Sequence, residues 1–226
     1  MRFAGSEWYS AAQSQYITLA GVGGIGSHLC LALARVGYKL SIYDDDLVEE
    51  HNLGGQLYKS SDINIPKVTA MASIIREFCG EGNYTLETNY ERYTSECAAE
   101  KICISCFDNM VSRKIMFKNW LKTAVEEDWN GCIFIDGRML MEQCQVFAVT
   151  NIKQAEDYWK NQLFSDKEAA EPLCSMKATT YMGQMIAAIM TTTLNNYMAN
   201  VYQFSFREVP YYSEFSAHLV DLTVEV

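Results

Sequence analysis

The sequence predicts one α/β domain over residues 1–226, a Rossmann-like, largely parallel central sheet flanked by helices. Three observations predict it, and all lie within "YITLAGVGGIGSHLCLALARVGYKLSIYDDDLVEEHN". An apolar run ends in a glycine-rich turn, a helix-periodic segment follows at once, and a second apolar run closes on aspartates. Strand, glycine turn, helix and strand in that order form a right-handed βαβ unit. A chain of 226 residues with 49% hydrophobic content can bury one such core and leaves little room for a second.

Each element follows from its local pattern. Met1 to Ser14 reads as a short helix or arm, and "YITLAG" as a buried strand. "SHLCLALARVG" sets Leu29, Leu33 and Val36 on one helical face, with Gly37 placed as the carboxyl-terminal cap. "YKLSIYDDD" is the next strand. After a polar loop, Val68, Met71, Ile74, Ile75 and Phe78 mark a helix in "IPKVTAMASIIREF". "YTLETNYE" alternates like a strand, and "KICISCFDN" is a buried strand with Asp108 at its carboxyl end. "SRKIMFKNWLKTAVEE" is helical, and "GCIFIDGRM" and "CQVFAVTN" are strands. "KQAEDYWKNQLFSDKEAAEPLC" reads as a helix and crossover, "TTYMGQMIAAIMTTTLNNYMANVY" as a core helix, and "QFSFREV" and "HLVDLTVEV" as strands that extend or edge the sheet.

Composition narrows the function classes. With 28 acidic against 18 basic residues, the chain is not built for nonspecific nucleic-acid or anionic-membrane binding. No apolar run approaches the roughly 18 residues needed to span a bilayer, and "MRFAGSEWYS" lacks the apolar centre of a signal peptide. Eight scattered cysteines suggest reduced thiols and a cytoplasmic protein. The only C-x-x-C, Cys103 to Cys106, sits in a strand where side chains three apart face opposite ways, so no zinc site is expected.

The candidate site begins at Gly21, Gly23, Gly24 and Gly26, a G-x-G-G-x-G turn that lets backbone approach phosphate at a helix amino terminus. Asp44, with Asp46 beside it, occupies the place of an acid that binds ribose hydroxyls. These features alone suit a nicotinamide-dependent dehydrogenase equally well. Asn52, Gln56, Lys67, the Asp108–Asn109 pair at a strand end, and Cys174 before the long helix point elsewhere.

With those residues in order, the chain resembles the adenylyltransferase family of ThiF, MoeB and the ubiquitin-activating enzymes. Gly21 to Ser27 match its G-x-G-G-x-G-S, and "DDDLVEEHNL" its D-x-D-x-V-x-x-x-N-L, followed by Gln56. "DINIPK" stands for its D-x-G-x-x-K, "FDN" for its D-N, and "PLCS" for the P-x-C-T of the ubiquitin-activating branch. The resemblance implies ATP and magnesium as cofactors. It implies adenylation of the carboxyl terminus of a small ubiquitin-like or sulfur-carrier protein, or of a peptide. It assigns phosphate to the glycines, ribose to Asp44, the triphosphate to Lys67, the metal to Asp108, and polar contacts to Asn52 and Gln56. Cys174 becomes a candidate thioester nucleophile, beside Lys177 and a helix start that would lower its pKa. Arg2 corresponds to an arginine that reaches into a partner subunit, and a homodimer is implied, with Tyr211 and Tyr212 as exposed aromatics.

One departure bears on the chemistry. The family's N-L-x-R-Q is "NLGGQ" here, so Gly55 replaces an arginine that contacts the triphosphate, leaving Arg113, Lys114 or Arg138 as substitutes. Three functions therefore stand: an activating enzyme, a catalytically weak or inactive scaffold subunit of such a complex, and a nicotinamide-dependent oxidoreductase.

Overall fold

The computed structural model describes residues 7–164, 179–203 and 205–225. Helix α1 (Glu7–Ala12) leads into β1 (Tyr16–Ala20), α2 (Gly26–Val36) and β2 (Lys39–Tyr43). Two 3-10 turns, Glu50–Gly54 and Ser60–Asp62, precede α3 (Lys67–Cys79) and β3 (Thr85–Asn89). Then come β4 (Ile102–Ser105), α4 (Met110–Glu126), β5 (Ile133–Leu140), β6 (Gln143–Val149) and α5 (Ile152–Asp157), which continues as a π-helical turn over Tyr158–Gln162. Helix α6 (Met182–Gln203), β7 (Tyr212–Ser216) and β8 (Asp221–Glu225) complete the described chain.

The strands form one sheet in the order β3-β2-β1-β4-β5-β6-β7-β8. From β3 to β5 all pairings are parallel, with Ile17 opposite both Leu40 and Ile102. The last three strands join antiparallel to the β5 edge. Parallel strands buried on both faces need apolar residues at every position, which is why "YITLA" and "KICIS" read as continuous runs. Their carboxyl ends, and the loops that leave them, lie along one edge of the sheet, where ligands of open α/β sheets bind.

Each face has its own core. Leu29, Leu33, Ile74 and Met190 from helices pack with Ile17, Ile104 and Ile135 on one side. Phe117, Trp120, Tyr158 and Phe134 pack on the other. Cys103 belongs to the second core and Cys106 to the first, opposite sides as strand alternation requires. Burial raises both thiols well above the ordinary cysteine value.

Three expectations need correction. In "QFSFREV" the described residues 205–209 form no strand; β7 starts later, at Tyr212. Helix α6 holds that segment instead: the Asn200 side chain bonds both the N–H and the carbonyl of Arg207, and Asn196 donates to the Glu208 carbonyl. Phe78, placed on the apolar face of α3, is 61% exposed. Tyr211 and Tyr212 are half-buried, their hydroxyls bound to Asp157 and Glu214, so they are not free aromatics for a dimer contact.

Two glycines separate rigid from yielding surroundings. A Cβ at Gly26 would lie 1.8 Å from the Gly21 carbonyl oxygen, whereas one at Gly137 would meet the Met190 sulfur at 2.7 Å. The methionine can repack and the backbone cannot. Chemical denaturation should show Gly26→Ala losing about 3 kcal/mol or more, and Gly137→Ala about 1 kcal/mol.

Candidate functional site

The glycine turn is locked to the end of β2 by Asp44. One Asp44 oxygen accepts the Val22 N–H at 2.7 Å, and the other accepts the Asp46 N–H at 2.9 Å. Burial lifts this carboxyl above the usual carboxylate range, against the opposing pull of Lys67 and of the two N–H donors. The four glycines have separate reasons. Gly21 has φ +89°, and a side chain there would strike the Cys106 carbonyl oxygen at 2.6 Å. Gly26 allows α2 to start against Gly21. Gly23 and Gly24 face looser surroundings, the Gln56 amide nitrogen at 4.0 Å and the Met139 methyl at 3.2 Å. The bare backbone beside these two is the room a phosphate would use.

The loop after β2 is tied down over the turn. Ser27 Oγ accepts the Leu57 N–H at 3.0 Å, and the Tyr58 hydroxyl donates to the Val22 carbonyl at 2.6 Å. His28 Nε2 lies 3.2 Å from the Gly55 carbonyl, which only accepts, so Nε2 carries the proton. Thr180, just before α6, donates to the Gly54 carbonyl at 2.7 Å. Gly183 lets α6 pass the turn, because a Cβ there would stand 2.3 Å from the Gly24 carbonyl oxygen.

Lys67 opens α3 and is only 6% exposed, yet its amine reaches back 2.7 Å to Asp46 Oδ2. The backbone repeats the link, since the Lys67 N–H donates to the Asp46 carbonyl. Asn64 stands where the family pattern has glycine and takes φ 67°, a left-handed conformation that asparagine tolerates better than most residues. Asn52 is buried, and its amide oxygen accepts the Glu49 N–H at 2.9 Å, which makes it a cap of the loop's 3-10 turn. Gln56 is different: its side-chain oxygen is buried and lacks a hydrogen-bond partner among the described residues.

Asp108 is exposed beyond β4 and does not cap α4; Asn109 does, accepting the Ser112 N–H at 2.9 Å and donating to Asp108. The structure thus gathers the four glycines, Asp44, Asp46, Gln56 and Lys67 around the β1–β2 end, and sets Asp108 at the end of neighbouring β4. Arg2, Cys174 and Lys177 lie outside the described residues.

Sequence reading missed Asp136. It is fully buried on β5 and grips Arg113 of α4 and, at 2.7 Å, Arg138 Nε. Burial alone would raise its pKa, but the two guanidiniums outweigh that and hold it below the ordinary carboxylate value. Both arginines are thereby committed. Neither is free to replace the arginine absent at Gly55. A charged residue inside an apolar strand, followed two positions on by arginine, was the available signal.

The model of the ThiF family matches residues 1–218. Ubiquitin-like modifier-activating enzyme 5 of Arabidopsis thaliana is 23% identical over 147 residues, 53% of this chain and 34% of that protein. Adenylyltransferase and sulfurtransferase UBA4 of Yarrowia lipolytica is 39% identical over 72 residues, 31% of this chain and 17% of that protein. The chain thus spans about a third or less of these curated relatives. Among solved structures, PaaA superposes with TM-score 0.72 at 16% identity, covering 96% of this chain and 65% of that one. E. coli MccB with ATP gives 0.71 at 13% identity, with the same coverages. E. coli tRNA N6-threonylcarbamoyladenosine dehydratase gives 0.67 at 14% identity, covering 90% and 94%. No described helix is long and apolar enough to cross a membrane.

His28 provides a test of the loop clamp. Burial lowers its pKa, opposed by the Gly55 carbonyl, so the fold favours the neutral ring. Its stabilising contribution is complete above about pH 6.5 and is lost as pH falls from there through the lower folded value. Thermal unfolding across pH 5 to 8 should show this acid loss in the wild type. A His28→Gln variant, which still donates to Gly55, should lack that component.

Proposed function

We propose that this chain, which belongs to the ThiF family, uses ATP and magnesium to adenylate a carboxyl terminus. The substrate is a small ubiquitin-like or sulfur-carrier protein, or a peptide. The observation that carries this reading is the buried Lys67 amine, held by Asp46 beside a glycine turn that Asp44 locks to the sheet. A dinucleotide site has use for the turn and for Asp44. A lysine at that depth, aimed at the same strand end, suits a triphosphate.

The residues present fit these groups. Gly23 and Gly24 leave backbone bare, Gln56 offers a buried oxygen without a partner among the described residues, and Asp108 is an exposed carboxylate of the kind magnesium uses together with phosphate oxygens. Magnesium would be held by Asp108 and would neutralise phosphate charge. Asp44 would accept ribose hydroxyls, and Lys67 would place a fixed cation on the phosphates. Asp46 keeps that cation aimed until the nucleotide arrives. In the reaction, a carboxylate oxygen attacks the α-phosphorus of ATP, the bond to the β-phosphate oxygen breaks, and acyl-adenylate and pyrophosphate form. Such a transfer is catalysed by positioning and charge neutralisation. Cys174 is the candidate to accept the acyl group as a thioester, with AMP leaving.

The relatives support the substrate class. One is named for activating a ubiquitin-like modifier, another for adenylyl and sulfur transfer, and MccB is solved with ATP and with MccA. We place the chain in the cytoplasm, acting as a homodimer. Gly55 favours a second reading, a catalytically weak scaffold subunit, because Arg113 and Arg138 are tied to Asp136 and Lys114 alone is left of the three candidate replacements. Such a subunit would bind no ATP.

The test is ATP–pyrophosphate exchange with glycine-terminated carrier proteins and with peptides. Lys67→Ala and Asp108→Asn should each reduce exchange about 100-fold or more. Cys174→Ser should leave exchange intact and abolish a thiol-sensitive carrier adduct. A folded wild-type chain that binds ATP but exchanges pyrophosphate with none of these carriers would overturn the assignment.

A further inference from the structure

The buried charges beneath Asp108 are arranged to hold a loop in place. Arg113 sits in the first turns of α4 with 5% of its side chain exposed. One guanidinium nitrogen donates to Asp136 and, at 3.1 Å, to the Gly137 carbonyl. The other donates to the Phe107 carbonyl, the peptide immediately before Asp108. Asp136 is fixed in turn by Arg138, whose other nitrogen donates to the Gln162 carbonyl at 3.0 Å and to the Tyr158 hydroxyl at 3.4 Å. The Arg138 plane also lies 4.6 Å from the Phe147 ring centre. From Tyr158 through Arg138, Asp136 and Arg113 to Phe107, polar contacts run without a break.

This arrangement is a poor way to gain stability. Arg113 and Asp136 are desolvated by burial and Arg138 largely so, and apolar side chains of equal volume commonly hold a fold as well or better. A planar guanidinium does something those side chains cannot, which is to fix two carbonyls and a carboxylate at set angles. Two of its acceptors belong to β5. The third belongs to the loop that carries Asp108. Asn109 then starts α4 by capping Ser112, so Asp108 projects between two fixed points, the Phe107 carbonyl and the Asn109 cap.

We infer that Arg113, braced by Asp136, is a positioning residue for Asp108: it clamps the Phe107 carbonyl and so sets where the Asp108 carboxylate is presented to magnesium. The inference rests on the reading of Asp108 as the metal-binding carboxylate. Arg113 touches neither nucleotide nor metal. Lysine at this position keeps the charge beside Asp136 but cannot reach the Phe107 carbonyl with the same fork.

The test is Arg113→Lys, with Arg113→Met/Asp136→Asn as a second variant that removes two charges together should the first fail to fold. Hydrogen exchange on the full chain reads the loop directly. The Ser112 amide should exchange about tenfold faster or more in the variant, while core amides of β1 and β4 keep their protection. Magnesium titration of pyrophosphate exchange reads the consequence. Half-maximal rate should need about tenfold more magnesium, with the ATP KM at saturating magnesium unchanged, and in an Asp108→Asn background the substitution should add nothing further. Unchanged Ser112 exchange, or an unchanged magnesium requirement in an active variant, overturns the clamp. A wild-type chain without exchange activity defeats the reading of the site instead, and the Ser112 comparison then decides the clamp alone.

Discussion

The site depends on one hydrogen bond, from the Val22 N–H to the buried Asp44 carboxylate at 2.7 Å. It joins the glycine turn to the end of the neighbouring strand, and it brings a negative charge into a place where burial disfavours it. That cost is offset in part by a second N–H, from Asp46, and by the Lys67 amine nearby. Asp44 therefore explains why an acid, a turn and a lysine from three parts of the chain share one corner. Around it the loop residues Leu57, Tyr58 and Gly55 bond to Ser27, Val22 and His28, so the loop and the glycine turn are one hydrogen-bonded unit.

A second polar centre organises the neighbouring strand ends. Asp136 joins α4, β5 and the turn after α5 through two arginines, on the side of the sheet where Phe117, Trp120 and Tyr158 pack. The two centres lie on adjacent loops because the parallel strands β1 and β4 pair in register, Ala20 against Ser105, and Gly21 then packs against the Cys106 carbonyl. Sheet register thus brings the glycine turn close to the loop that bears Asp108.

Much of this was legible in the sequence because it is local. The βαβ unit declares itself through continuous apolar runs, a helical repeat and glycines at the positions where added atoms would collide with backbone. The ordered motif from Gly21 to Asp108 singled out residues that the fold sets at neighbouring strand ends, and Asn64 adopts the left-handed backbone that the glycine of the pattern would take. What was not legible depended on partners distant in the chain. The Asp136 brace joins residues 23 positions apart whose meeting only the sheet reveals. The segment near Phe206 has strand-like alternation, but Asn196 and Asn200 capture its backbone for the helix. Tyr211 and Tyr212 look free in sequence and are bound in the fold by Asp157 and Glu214, carboxylates that pattern reading does not link to them.

The central claim is that the crevice at Asp44 and Lys67 is built for ATP. Isothermal titration of the wild-type chain and of Lys67→Ala, with magnesium–ATP and separately with reduced nicotinamide dinucleotide, tests it most directly. The account predicts saturable heat with ATP that Lys67→Ala weakens strongly, and no binding of the dinucleotide. Saturable binding of the dinucleotide, or ATP affinity indifferent to Lys67, would contradict it.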